Sequence, residues 1–212
     1  MKALRFVLMA LAVLALTLAL GGCNIFINLL DGAPSVTLSA PDTILDSGQI
    51  VKLTANVSNS NGLLSYKWYE DGVDLFVTTP EYMYSRFVTA SKDVTIKVTV
   101  TDSDGRSGSA TKVITVVRPS SSATIHIINN STYDAYYLYV SPALNGNWGP
   151  DQLRPNIVIY ALGGSWDLNG VPAGNWDLKM VSINSTHTWT VPNQTVSAPG
   201  PYYWTLTNSN WD

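Results

Sequence analysis

The residue types that carry most enzyme chemistry are scarce in this sequence. Its 212 residues contain a single cysteine, Cys23, and two histidines, His126 and His187. A zinc site needs three or four converging ligands, mostly nitrogen or sulfur, so we predict no metal site. No second thiol is available for a disulfide within the chain. The fold must therefore be held together by burial of apolar side chains, which domains near 100 residues can achieve.

Catalytic motifs are lacking as well. Residues 163–167 (GGSWD) depart from the G-x-S-x-G nucleophile elbow, which also requires a strand-to-helix turn. After residue 34 no stretch keeps a helical period. Because no catalytic constellation can be assembled from these residues, we predict that the protein is not an enzyme and uses no cofactor.

Basic residues are also few. The chain has 12 lysines and arginines against 15 acidic residues, and without residues 1–22, which carry Lys2 and Arg5, the net charge falls to near −5. Proteins that bind nucleic acid present a basic face to the phosphates. We therefore predict no nucleic-acid partner.

The N-terminus holds the longest apolar run. Residues 6–20 follow Lys2 and Arg5 and lead to two glycines and Cys23. About 15 apolar residues are fewer than the ~20 that a membrane-spanning helix needs, and no charged flank follows them. The layout is typical of a secretory signal peptide and disfavours a retained transmembrane helix.

Residues 20–23 (LGGC) resemble the lipobox of bacterial lipoproteins. The resemblance implies that 1–22 is a cleaved signal peptide and that Cys23 carries acyl chains such as palmitate, which make the membrane a partner. Two or three chains anchor firmly, at about 0.8 kcal/mol per buried CH₂. Asn24 lacks the aspartate of inner-membrane retention, so we expect the outer membrane if the source is diderm. The alternative is a secreted protein with an incidental cysteine.

Residues 23–33 form a tether that is unusually apolar for a flexible linker. Five large apolar side chains occur within six positions: Ile25, Phe26, Ile27, Leu29 and Leu30. We expect this stretch either to lie against the membrane interface or to pack on the first domain.

From residue 35 onward the chain alternates apolar and polar residues in short runs separated by turn formers, which is typical of an all-β protein. We predict two tandem antiparallel β-sandwiches, at 34–118 and 123–212, joined by a linker at 119–122. In the first, 51–57 and 94–100 alternate between a core face and a wet face. Residues 66–72 (YKWYEDG) and 98–105 (VTVTDSDG) resemble PKD and bacterial immunoglobulin-like modules, which implies a spacer or adhesion unit.

The second segment contains six of the seven tryptophans and seven of the eleven tyrosines. Predicted strands are 124–129, 135–141, 157–162, 165–168, 176–183, 187–191 and 202–207. The repeated Trp-Asp-Leu at 166–168 and 176–178 predicts a facing strand pair joined by a hairpin. The order of motifs at 129–132, 138–142, 147–153 and 172–178 is similar to a β-rich domain of uncharacterised bacterial exported proteins, which implies a fold and no activity.

Two acidic turns invite comparison with metal sites. Asp102, Asp104 and Gly105 resemble the start of a calcium loop, but Val113 stands where an EF-hand has its bidentate acid. We therefore predict a hairpin turn there, and likewise at 70–72 (EDG).

The aromatic side chains are the remaining candidates for binding. Trp176 and Trp204 alternate in phase with apolar neighbours and are predicted to be core. Exposed rings can stack on sugars, and the candidates are Trp148, Trp189, Tyr203 and Trp211. We predict a lipid-anchored cell-envelope protein with an interaction or scaffolding role toward a protein or glycan partner. The alternative is a lipoprotein that binds glycans through its C-terminal domain.

Overall fold

The computed structural model describes residues 32–153 and 156–211, and the fourteen regular elements within them are all β-strands. The prediction of an all-β fold is therefore confirmed. No helix in this part of the chain is long and apolar enough to cross a membrane. The predicted signal peptide, Cys23 and most of the tether lie outside the described residues.

The first sandwich consists of eight strands in two sheets, ordered β1-β3-β6 and β2-β8-β7-β4-β5. Every second side chain of β7, from Val94 to Val100, is fully buried, as is Trp68 on β4. The period-2 pattern thus places one face of each long strand in a shared core. The strands are β1 (Ser35–Ser39), β2 (Ile44–Asp46), β3 (Val51–Ser58), β4 (Ser65–Glu70), β5 (Val73–Asp74), β6 (Glu81–Tyr84), β7 (Lys92–Thr101) and β8 (Ser107–Val117).

The second sandwich has its own core between sheets ordered β11-β9-β14 and β10-β12-β13. Trp176 and Trp204 are buried in it, as predicted. The strands are β9 (Ser122–Asn129), β10 (Ala135–Pro142), β11 (Gly164–Pro172), β12 (Gly174–Ser182), β13 (Thr188–Val196) and β14 (Pro201–Leu206).

Three sequence-based expectations about these strands are wrong. The sheets are not purely antiparallel, because β14 runs parallel to β9 and β2 runs parallel to β8. The two Trp-Asp-Leu segments do not face each other, since β11 pairs with β9 while β12 pairs with β10 and β13. Only Ala173 separates β11 from β12, so the chain crosses between sheets there instead of forming a hairpin. Residues 157–162 form no strand, and only Ile159 makes an isolated bridge, to Ala135.

The two sandwiches meet at a buried polar contact. Ser47, in the turn after β2, is 2% exposed, and its hydroxyl donates to the carbonyl oxygen of Gly170 at 2.8 Å. The same hydroxyl accepts the backbone N–H of Val88 at 2.9 Å. Beside it, Phe87 of the first sandwich packs edge-on against Trp176 of the second, with ring centroids 5.5 Å apart.

Gly170 allows this close approach. It lies at the bulge in β11 with a φ of +79°, and a Cβ there would stand 2.4 Å from the carbonyl oxygen of Val88. Any side chain would therefore force the sandwiches apart. The contact requires both the left-handed backbone and the absence of a Cβ that glycine provides.

Candidate functional site

The structure separates the four aromatic residues that the sequence nominated. Trp189 is fully buried, and its indole N–H donates to the carbonyl oxygen of Thr207 at 2.9 Å. A ring without exposed surface cannot stack on a ligand, so Trp189 does not belong to a surface site. Trp211 is half-buried, with its ring 6.5 Å from that of Trp189 and 4.1 Å from that of His187. It packs against the core beside Trp189, and among the described residues no ring contact joins it to Trp148 or Tyr203.

Tyr203 lies on the outer face of the β11-β9-β14 sheet and is 64% exposed. Its ring stands edge-on to His126 on the adjacent strand, with centroids 5.4 Å apart. His126 is partly exposed on the solvent face and bonds through Nδ1 to the carboxylate of Asp167. The described residues place no serine or threonine hydroxyl in a hydrogen bond with His126, so the pair lacks the nucleophile of a hydrolase triad.

The opposite sheet carries a more concentrated aromatic surface. On β10, Leu138 and Val140 are buried, so the alternating Tyr137 and Tyr139 point outward. Their ring centroids are 6.4 Å apart and the ring planes differ by 17°. We call the outer surface formed by Tyr137, Tyr139, Trp148 and Lys179 the tyrosine face.

The ammonium group of Lys179 lies close to two rings of the tyrosine face. It stands opposite Tyr139 in the β10–β12 register. Its Nζ lies 4.8 Å from the ring centroid of Tyr139 and 4.5 Å from that of Trp148, within the range of cation–π attraction. Trp148 is thus the one sequence-nominated ring on this face.

Partial burial shifts two titrating groups on the tyrosine face. Burial lowers the pKa of Lys179 because it disfavours the charged ammonium. Burial also raises the pKa of Tyr139, and the nearby carboxylate of Asp151 adds to that rise. Asp151 is itself held in place, since it accepts the backbone N–H of Leu138 at 2.8 Å and that of Leu153 at 3.0 Å.

A groove of about 640 Å³ continues from the tyrosine face to the first sandwich. Tyr136, Tyr137 and Tyr139 line one side, and residues 75–77 of the first sandwich line the other. Phe76 in that segment is 72% exposed. A second groove between the sandwiches, of about 600 Å³, is lined by residues 86–92 and 166–169. The first groove is the more aromatic of the two.

The acidic turns are occupied by protein groups. Asp102 accepts the backbone N–H of Arg106 at 3.0 Å and its guanidinium at 2.8 Å. Burial raises the pKa of Asp102, but the hydrogen bonds from Arg106 and Asn61 outweigh it and hold the pKa below its ordinary value. Asp71 and Gly72 both have positive φ in the tight turn between β4 and β5. Within the described residues no group of three or more His, Cys, Asp or Glu could hold a metal ion.

Sequence reasoning missed Tyr137, Tyr139 and Lys179. A signal was present, because tyrosines at positions i and i+2 around Leu138 must share the face opposite that leucine. Lys179 likewise lies between the buried Leu178 and Met180. The alternation could have nominated each residue as exposed, but not their convergence with Trp148, which depends on strand pairing.

Comparison with known proteins gives structural neighbours only. No protein-family model matches the chain, and no curated protein matches it. The PKD1 domain of the Vibrio cholerae metalloprotease PrtV is 25% identical over 40% of this chain and 98% of that chain, with a TM-score of 0.32. A structure of carbohydrate-binding modules from the β-sandwich superfamily is 14% identical over 79% of this chain and 94% of that chain, with a TM-score of 0.36.

A third neighbour is SGBP-B from a mixed-linkage glucan utilization locus of Bacteroides ovatus, solved with a mixed-linkage heptasaccharide. It is 14% identical over 78% of this chain and 47% of that chain, with a TM-score of 0.31. The neighbours thus include PKD domains and β-sandwich carbohydrate-binding modules. These TM-scores are too low for the ligands of those proteins to be assigned to this chain.

Proposed function

We propose that this chain is a lipid-anchored, non-catalytic protein of a bacterial cell envelope, in which the first sandwich holds the second away from the membrane. The observation that carries the proposal is that the first sandwich receives the chain at one end and contacts the second sandwich at the other. Pro34, where the sandwich begins, has its carbonyl against Gly108, which pairs with Val100 near the end of β7. The contact with the second sandwich lies at the other end, beside Lys92, where β7 begins. Ten strand residues at ~3.3 Å each separate the two ends by roughly 30 Å.

The buried hydrogen bonds between the sandwiches also support this arrangement. The hydroxyl of Ser47 links Val88 of the first sandwich to Gly170 of the second, and residues 118–121 are the whole connection between β8 and β9. Such a short connection with a buried contact favours a stiff arm over two freely moving domains.

Substitution of Cys23 tests the anchoring. The wild-type chain should take up radiolabelled palmitate and fractionate with membranes, whereas Cys23→Ser should do neither, because the acyl chains have no thiol to join. Gly32→Ala is the matched control, since a methyl at that position meets no atom within 4 Å. Membrane fractionation and labelling of Cys23→Ser at the wild-type level would refute the lipid anchor.

A second candidate function, saccharide binding, is favoured by the tyrosine face. The rings of Tyr137 and Tyr139 are nearly parallel, and together with Trp148 they offer a cluster of aromatic rings against which the apolar faces of sugars can pack. Lys179 supplies hydrogen-bond donors among those rings, and the adjacent groove extends the surface. Aromatic walls with a few placed polar groups are characteristic of small-ligand sites.

Tryptophan fluorescence and calorimetry against a panel of oligosaccharides test this function. Tyr139→Ala should weaken binding about fivefold or more, because a packed aromatic ring contributes on the order of 1 kcal/mol or more. Tyr203→Ala is the matched control, since it removes an exposed tyrosine from the opposite sheet. The proposal fails if no saccharide binds, or if both substitutions weaken binding equally.

A further inference from the structure

The position of Lys179 indicates which class of saccharide the tyrosine face would take. The residue lies on β12, the middle strand of its sheet, with Tyr139 beside it on β10 and Thr190 beside it on β13. Its ammonium group therefore stands near the centre of the outer surface, where a bound ligand would cover it. The rings of Tyr139 and Trp148 hold the group from two sides at 4.8 and 4.5 Å.

Lys179 has no ion-pair partner among the carboxylates that the structure describes. By contrast, two other described lysines, Lys52 and Lys92, each form an ion pair with a carboxylate within 3 Å. Asp177, on the same face of β12, accepts the backbone N–H of Asn193 at 2.7 Å. Asp151 accepts two backbone N–H groups near Tyr139. Both acids thus accept backbone N–H groups, and among the described residues Lys179 contacts the two rings and has no carboxylate within salt-bridge distance.

A partly desolvated cation without a counter-ion gains more from an arriving anion than a fully hydrated one would. Burial has already removed part of the water around Lys179, as the lowering of its pKa indicates. The chain has a formal net charge of −3, so the charge of the protein as a whole does not attract anions. The site therefore combines flat apolar rings with one cationic donor at their centre.

We propose that the tyrosine face binds an acidic saccharide, with the sugar rings packed against Tyr137 and Trp148 and a sugar carboxylate paired with Lys179. This inference rests on the proposed saccharide-binding function and adds the charge of the ligand to it. Hexuronic acids match the arrangement, because their carboxylate projects from the edge of a pyranose ring whose face is apolar. The groove toward Phe76 gives space for sugars beyond the one at Lys179.

Calorimetry with matched acid and ester ligands tests the inference on the full chain in a mild detergent. The probes are tetragalacturonate, tetramannuronate and a glucuronate-containing tetrasaccharide, each compared with its fully methyl-esterified form, which keeps the sugar rings and removes the charge. At least one acid should bind about tenfold more tightly than its ester, because hydrogen bonds to charged groups are stronger by that amount.

Variants then assign the preference to Lys179. Lys179→Met keeps the apolar stem and should bind acid and ester equally, whereas Lys179→Arg should retain the preference. Lys67→Met is the control, since it removes an exposed lysine from the first sandwich. The far-ultraviolet circular dichroism of each variant verifies its fold, and the comparison of acid with ester in the wild type needs no variant.

The outcomes separate the two proposals. Equal binding of acids and esters by the wild-type chain, or a preference that survives in Lys179→Met, overturns the acidic-saccharide inference and leaves saccharide binding standing. Absence of binding by every acidic and neutral oligosaccharide overturns both.

Discussion

Replacing Ser47 with alanine should weaken the contact between the two sandwiches by a predictable amount. The substitution removes a hydroxyl that donates to Gly170 and accepts from Val88, and both partners are backbone groups in a buried interface. A buried polar group left without a partner costs about 1–3 kcal/mol. The substitution leaves two such groups without a partner, and relaxation or an entering water molecule offsets part of the cost. We therefore expect the free energy of unfolding to fall by about 2–4 kcal/mol.

Urea denaturation of the full chain measures this loss. The six tryptophans after residue 122 report on the second sandwich and Trp68 reports on the first, so one fluorescence titration follows both. With an m-value of about 1–3 kcal/mol per M, the midpoint should fall by roughly 1 M or more. Ser39→Ala is the matched control, because the Ser39 hydroxyl also donates one hydrogen bond and accepts another, but both are exposed and 3.3 Å long. If Ser47→Ala shifts the midpoint no more than Ser39→Ala, the buried hydroxyl does not join the sandwiches.

Two further predictions concern backbone geometry and pH. Gly170→Ala should destabilise the chain by more than Gly72→Ala. Both glycines have positive φ, but only at Gly170 would a Cβ lie 2.4 Å from another backbone atom, the carbonyl oxygen of Val88. Equal urea midpoints for the two variants would contradict the close approach. Asp102→Asn should lower the urea midpoint at pH 7. Because the folded pKa of Asp102 lies below 3.8, the stability contributed by its carboxylate is complete above that value and is lost as the pH falls through the folded pKa. The difference between wild type and Asp102→Asn should therefore shrink below pH 3.8, and a difference that stays constant down to pH 2 would refute the role of the charge.

Strand periodicity identified much of the core without any tertiary information. The alternation in β3 and β7, the burial of Trp176 and Trp204, and the tight turns at 71–72 and 102–105 all follow from rules that act within a few residues. A strand residue must point to one side or the other, and an apolar residue every second position specifies which side is buried.

Those local rules do not predict which strands lie next to each other in a sheet. The two Trp-Asp-Leu segments have the composition of a hairpin, yet the chain crosses to the other sheet at Ala173. Residues 157–162 (IVIYAL) are a continuous apolar run and yet form no strand. Which strands become neighbours depends on the packing of two whole sheets, since every pairing must leave both inner faces buried together. No local window contains that requirement.

The candidate site shows the same division. The sequence alone determined that Cys23 has no disulfide partner within the chain, that cations are few and that the C-terminal half is rich in aromatic residues. The aromatic side chains were therefore the remaining candidates for ligand binding. Only the tertiary structure decided which rings are available. It buried Trp189, placed Tyr203 on the outer face of the opposite sheet, and brought Trp148, in the loop after β10, to Lys179 on β12. Exposure and convergence are properties of the packed sheets, because each depends on atoms that are distant along the chain.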